Sequence, residues 1–244
     1  MTDCLIDSGN TRVKFARRER DQWQFIAAVD FDHPQFVAQC LNLVNAEPFE
    51  KLYLASVSKG ARAEKLQQLL LQYDGPIIRI ATLPVLGRLQ IAYPIPAQLG
   101  VDRFLAMLAA ADQQVPSILI SFGSAITIDV LLADGVHQGG LIAPSPEFQW
   151  RAMHDYFPGL FQERLGNAQS LACNTSDALA TGIQHQLLGM IDRVIAENSK
   201  TAKPRILISG GAAETWLGKL PGASIYSPDI LFNGMLRYIT LSGL

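Results

Sequence analysis

The feature that most constrains this chain is an internal repeat. The stretch "LIDSGNT" from Leu5 lines up with "LISFGSA" from Leu119, Gly9 over Gly123. Both stretches end an apolar run, and the elements that follow come in the same order. After the first, the hydrophobic pattern predicts strands Cys4–Asp7, Arg12–Ala16 and Trp23–Val29, then a helix Gln35–Val44 and a strand Leu52–Val57. A helix Ala61–Gln72, with Leu66, Leu69 and Leu70 on one stripe, precedes a strand Ile77–Ile80. After the second, strands Ile118–Ser121, Thr127–Leu132 and Val136–Ile142 lead to a helical stretch Phe148–Phe157 and a long helix Asp177–Glu197. A strand Arg205–Ser209, a short helix Ala213–Leu217, a strand Ser224–Tyr226 and a helix Leu231–Leu241 complete the chain. The expectation is an α/β protein of two βββαβα units, residues 1–115 and 116–244.

Composition narrows the function classes. The 244 residues are 49% hydrophobic and 17% charged, with a formal net charge of -2 and no long basic run. That balance suits a soluble protein with ample core and does not favour a nucleic-acid partner. The cluster Arg17-Arg18-Glu19-Arg20-Asp21 reads as a solvated hairpin tip. Cys4, Cys40 and Cys173 are far apart and form no zinc spacing, so reduced thiols in a cytoplasm are expected. Asp3 and Asp7 interrupt any signal-peptide core. No apolar run approaches the ~20 residues of a membrane span.

Four stretches could carry chemistry, each with a plainer alternative. Asp7-Ser8-Gly9-Asn10-Thr11 follows a strand; its backbone amides with Asn10 and Thr11 could face anionic oxygens, and Asp7 could hold Mg2+ through water. The alternative is an ordinary hairpin turn. Gly123-Ser124-Ala125 occupies the same place in the second half, so the two loops could clamp phosphates; Asp129 and Gly139-Gly140 follow, the glycines readable as a bulge. Ser209-Gly210-Gly211 opens a helix, for a ligand or simply for close packing. Gly100-Val101-Asp102-Arg103 also opens a helix. Asp102 could accept a hydroxyl proton and Arg103 could fork onto a carboxylate, or the aspartate could serve the helix terminus alone. The Ser56-x-x-Lys59 match lacks its partner motifs, and no Walker A, GxGxxG or HExxH occurs. The four histidines are scattered and read as surface or satisfied core.

The ordered set of motifs resembles the type III pantothenate kinases. Its members here are Asp7-x-Gly9-Asn10-Thr11-x-x-Lys14, Tyr93-Pro94, Gly100-x-Asp102-Arg103, Gly123-Ser124-Ala125-x-Thr127-x-Asp129, Gly139-Gly140-x-Ile142-x-Pro144, Asn174-Thr175 with Gly182, and Ser209-Gly210-Gly211. The resemblance implies duplicated RNase H-like units of the actin-like ATPase fold, shared by acetate and sugar kinases, Hsp70 and actin. It implies transfer of phosphate from ATP to pantothenate, the first step toward coenzyme A. Carried over residue by residue, Asp7, Ser8, Gly9, Asn10, Thr11, Arg12, Val13 and Lys14 bind ATP, as does Ser124, which stands where the family usually has threonine. Asp102 is the proton acceptor, and Tyr93, Gly100, Val101, Asp102, Arg103 and Thr175 bind pantothenate.

The resemblance further implies Mg2+ with ATP and a homodimer. Many members carry an aspartate that holds potassium or ammonium two residues before the second glycine; here Ser121 stands there. Ser145 replaces the glycine that usually follows Pro144. Two other readings share the fold: a different small-molecule kinase, and a non-catalytic ATP-binding accessory factor of transcription regulation.

Overall fold

The computed structural model describes residues 2–157, 159, 165–200, 202–220 and 224–244. The first half contains β1 (Thr2–Ser8), β2 (Arg12–Glu19), β3 (Gln22–Asp30), α1 (Phe36–Asn45), β4 (Leu52–Ser56), α2 (Ala61–Leu70) and β5 (Ile77–Arg79). A hairpin β6 (Val85–Leu86) and β7 (Leu89–Gln90), a single 3-10 turn Pro96–Gln98 and α3 (Val101–Ala111) follow. The second half contains β8 (Ser117–Phe122), β9 (Ala125–Leu131), β10 (His137–Pro144), α4 (Pro146–Tyr156), α5 (Thr175–Asn198), β11 (Arg205–Ser209), α6 (Glu214–Leu217), β12 (Ser224–Tyr226) and α7 (Ile230–Ser242).

The duplication is explicit in the strand orders, β3-β2-β1-β4-β5 and β10-β9-β8-β11-β12. In each sheet the opening strand is antiparallel to its hairpin partner and parallel to the strand that returns after the helix. β1 and β8 are therefore central, flanked on both sides, and their middles, Cys4–Ile6 and Ile118–Ile120, are continuously apolar.

The chain divides into two compact units: Met1–Gln113 with Gly135–His137 and Asp229–Leu244, and Gln114–Asp134 with Gln138–Pro228. The expected boundary at 115/116 lies close to Gln113/Gln114. The C-terminal helix, expected in the second half, packs in the first unit instead. The reason is the central sheet. Cys4 and Ile6 point into a core with Phe15, Phe36, Cys40, Leu54 and Leu66. Leu5 and Tyr53 face the other way, are equally buried, and need a second cover. α3 and α7 supply it, packed on β4 and β1 respectively and on one another. They cross so closely at Gly234 that a Cβ there would lie 2.1 Å from the Leu105 carbonyl oxygen. Trp23 Nε1 donates to Asn233 Oδ1 at 2.9 Å, and Arg237 pairs with Asp112. In the second unit, Ile118, Ile120, Phe122, Ile128 and Ile208 pack against Leu187 and Ile191 of α5. The Trp216 ring stacks on Phe122 at 5.3 Å.

The charged cluster lies at the β2–β3 hairpin end as expected, with only Arg20 and Asp21 in the exposed turn. Arg17, Arg18 and Glu19 lie within β2, and the turn starts at Arg20, whose φ is 55°. Register pairs Asp3 with Arg18, so the Nη1–Oδ2 ion pair at 2.7 Å forms across neighbouring strands and carries β2 past the expected end. The stretch Thr82–Gly100, unassigned from sequence, folds on itself. Ile91 N–H donates to the Pro84 carbonyl, Thr82 Oγ1 to the Leu99 carbonyl and Gln90 N–H to the Gly135 carbonyl.

Candidate active site

In the first unit the antiparallel register of β1 and β2 sets Asp7 directly opposite Lys14, which explains the spacing of the acid and base. Their Oδ2 and Nζ lie 3.5 Å apart. Asp7 is buried, and burial pushes its carboxyl up to about 6. Lys14 pulls the other way, while the negative charge of Asp102 raises it further. Asp7 and Asp102, 95 positions apart in sequence, are thus electrostatic neighbours.

The loop between these strands is Gly9-Asn10-Thr11, closed by the Gly9 N–H donating to the Arg12 carbonyl at 3.1 Å. Gly9 does not have a positive φ, and a Cβ there would make ordinary contact with Arg12 at 3.5 Å. Neither backbone strain nor internal crowding calls for glycine at this position. What the missing side chain does leave is room for a ligand to approach the main chain. Arg12 is exposed and pairs with Asp30 at 3.4 Å, and Val13 is core. Sequence reasoning missed Ser58. It follows β4 and bonds both Ser8 Oγ and the Gly9 carbonyl at 2.7 Å. Its only sequence signal was the discounted Ser56-x-x-Lys59 match.

The Gly100–Arg103 motif caps α3. Asp102 Oδ1 accepts the Arg103 N–H at 2.8 Å and curls back over Gly100, where a Cβ would come within 2.5 Å of that oxygen. Glycine two residues before the aspartate is therefore a steric requirement of the carboxylate's position. Val101 is buried and anchors the turn. Arg103 is 7% exposed, unusually low for an arginine. Its Nη1 donates to Tyr93 Oη at 3.2 Å, and its guanidinium carbon sits 5.7 Å from the Tyr93 ring centroid. His137, read from sequence as surface or satisfied core, is buried; its ring stacks parallel to Tyr93 at 6.1 Å, and Nδ1 accepts the Ala92 N–H at 3.3 Å. The structure thus brings Tyr93, Asp102 and Arg103 together with Asp7 and Lys14 in one unit.

The second unit holds the remaining candidates. Gly123 and Ser124 join β8 to β9, with Gly123 N–H donating to the Ala125 carbonyl at 3.1 Å; both residues are exposed. Ser121, half-buried, pairs with Thr127 across the hairpin and with Ser209 in the parallel register. Asp129 is buried in β9, and Gly139-Gly140 lies inside β10. Gly210 adopts φ 98°, and a Cβ there would lie 2.4 Å from the Phe122 carbonyl oxygen, so close packing accounts for this glycine. Asn174 is an N-cap: its Oδ1 accepts the Asp177 N–H at 2.9 Å. The Asp177 carboxylate also takes the Asn174 amide, the Asn167 N–H and the Gln169 amide, and these bonds, the Asn174 side chain's foremost, lower its pKa. Thr175, exposed, is the first residue of that helix. Ser145, in place of the usual glycine, caps α4 by accepting the Phe148 N–H at 3.2 Å.

Two matched sheets, each ending its central hairpin in a glycine loop, define the actin-like ATPase class of folds. A 2-dehydro-3-deoxygalactonokinase-named protein of Sinorhizobium meliloti superposes with TM-score 0.59 at 11% identity, covering 97% of this chain and 98% of its own. A Campylobacter jejuni protein described as a Baf-family transcriptional activator superposes with TM-score 0.66 at 21% identity, over 98% of both chains. At such identities the likeness concerns the fold alone. The family model for type III pantothenate kinase matches residues 4–197. The type III pantothenate kinase of Stenotrophomonas maltophilia (strain K279a) is 32% identical over 241 residues, 98% of this chain and 97% of that protein. That of Xanthomonas oryzae pv. oryzae (strain PXO99A) is 31% identical over 242 residues, 98% of each. The chain belongs to the type III pantothenate kinase family.

Proposed function

We infer that this protein phosphorylates pantothenate with ATP, the first step toward coenzyme A. Family membership over nearly the whole chain supports the reaction class. The single observation that carries the residue roles is the buried Asp7, 3.5 Å from Lys14, whose pKa is raised by burial and further by the charge of Asp102.

In this reading the Asp7–Lys14 loop takes the ATP phosphates, with Ser124 a further ATP contact. Arg103 receives the pantothenate carboxylate, and Tyr93, Gly100, Val101 and Thr175 complete its contacts. The hydroxyl oxygen of pantothenate attacks the γ-phosphorus, its proton passes to Asp102, and the bond to the ADP oxygen breaks. Positioning and charge complementarity supply most of the rate, as expected for phosphoryl transfer.

Mg2+ fits the residues present. Ionised Asp7 is opposed by burial and by Asp102, so a cation beside it relieves both effects. No group of three or more His, Cys, Asp or Glu that could hold a metal occurs among the described residues. That suits an ion carried by one or two carboxylates, phosphate oxygens and water. The metal supplies neutralisation of the transferred phosphate's charge. Ser121 offers only a hydroxyl where the family aspartate would bind potassium or ammonium, so turnover is proposed to be independent of either ion.

The protein is proposed to work as a homodimer. No side chain of α4 is fully buried; Phe148 and Tyr156 on it are 62% and 78% exposed and Ile142 on β10 is 66% exposed, apolar surface that a second copy could cover. Sedimentation should give a dimer in the wild type and a monomer in Phe148→Asp/Tyr156→Asp. No helix among the described residues is long and apolar enough to cross a membrane. Burial pushes the Cys4 and Cys40 thiols up to about 12. Both are thereby kept unreactive, in keeping with a cytoplasmic enzyme.

The test is ATP consumption and 4'-phosphopantothenate formation. Pantothenate-dependent turnover is expected, and unchanged turnover in Asp102→Asn would remove Asp102 as the proton acceptor. ATP binding with no product would favour the accessory-factor reading.

A further inference from the structure

We propose that Ser58 is a positioning residue of the ATP loop, a latch that turns the Gly9–Asn10 peptide so that its N–H faces the nucleotide. The proposal rests on the assignment of that loop to ATP.

The geometry is specific. Ser58 Oγ lies 2.7 Å from the Gly9 carbonyl oxygen and 2.7 Å from Ser8 Oγ. A serine hydroxyl carries one proton. Donating it to the Gly9 carbonyl leaves Ser8 Oγ as the donor to Ser58, giving a directed chain Ser8 to Ser58 to Gly9. Ser58 is itself fixed. Its N–H donates to Ser56 Oγ at 3.3 Å, and the preceding Val57 N–H donates to the Ser8 carbonyl at 3.0 Å, extending the β1–β4 ladder by one rung.

The consequence follows from peptide geometry. The described chain has no cis peptide bond. In a trans peptide the C=O and the following N–H point in opposite directions. With the Gly9 oxygen drawn to Ser58, the Asn10 N–H points away from Ser58, and Asn10 is exposed. A latch is needed because of Gly9. Glycine adopts both signs of φ readily, so this peptide could rotate and turn its carbonyl, an acceptor, toward the phosphates. An oxygen facing phosphate repels it, whereas an N–H binds it.

The test uses the full chain with ATP and magnesium chloride in calorimetry, together with initial rates. Ser58→Ala should weaken ATP affinity about tenfold, the size of one lost hydrogen bond. The KM for pantothenate should hold. Ser58→Thr, which keeps the hydroxyl, should restore ATP affinity. In 1H–15N spectra the Asn10 amide should shift on ATP addition in the wild type and in Ser58→Thr, and much less in Ser58→Ala. Wild-type affinity in Ser58→Ala, or equal rises in both KM values with a fall in Tm, would overturn the latch. A wild type that binds no ATP would overturn the loop assignment and the latch with it.

Discussion

The two glycine loops occupy equivalent positions in equivalent sheets, yet they are secured by different means. The first is held by side chains. Lys14 pairs with Asp7, and the Ser8 and Ser58 hydroxyls tie down Gly9. At the second, Gly210 presses on the Phe122 carbonyl, and the Ala212 N–H donates to it at 3.1 Å. The first ends in a buried, charge-bearing carboxylate, the second in Ser121. Duplication conserved the strand order, because hydrophobic periodicity and sheet closure demand it. It did not conserve the polar fittings, because folding alone does not require them.

The largest expected effect breaks this asymmetry at its source. Asp7→Asn should lower kcat/KM about 10³-fold, the scale of losing one electrostatic anchor of the transition state, while Ser121→Ala should change it little. Stability should move the opposite way. Asp7 has a folded pKa of about 6, above the ordinary 3.8, so the folded state holds a proton that the unfolded chain has released between those values. Its stabilising contribution is therefore complete below 3.8 and lost as pH rises through about 6. Thermal unfolding of metal- and nucleotide-free protein should show wild type losing stability across that window. Asp7→Asn should lack this dependence and be more stable at neutral pH.

Next in size, Asp102→Asn should reduce kcat about 10²-fold, in the range of general-base catalysis, with the KM for ATP nearly unchanged. A rise in the KM for ATP alone would move Asp102 from the acceptor side to the nucleotide. Packed against the second loop, Gly210→Ala should destabilise by about 1–3 kcal/mol, since a φ of 98° and the Phe122 backbone both oppose a Cβ. Chemical denaturation measures this. The smallest effect concerns the missing acid. Replacing potassium by sodium should leave wild-type turnover unchanged, whereas Ser121→Asp should acquire a potassium dependence. A strict requirement in the wild type would show that another group supplies the cation site.

Much of this was legible in the sequence. β11 and β12 fall on their expected residues, and the other strands and helices differ from expectation at their ends, because apolar periodicity marks what must be buried. Element ends depend on partners the pattern does not name: β2 runs past Ala16 because Asp3 waits opposite Arg18. Gly100-x-Asp102-Arg103 was legible as a candidate, whereas its steric logic, the carboxylate lying over Gly100, required coordinates. His137 carried no motif, and Ser58 only the discounted Ser56-x-x-Lys59 match. One became visible when its ring stacked on Tyr93, the other when its hydroxyl met Gly9.

By itself, then, the sequence determined the two βββαβα units, the paired glycine loops and the reaction class, because alternation, helical period and motif order are local properties written residue by residue. Only the tertiary structure decided that the last helix covers the first sheet, that the charge of Asp102 acts on Asp7, and that a serine beyond β4 bonds the Gly9 carbonyl. These depend on surfaces brought together from distant parts of the chain, where burial removes the water that would otherwise screen one charge from another and satisfy each polar group alone.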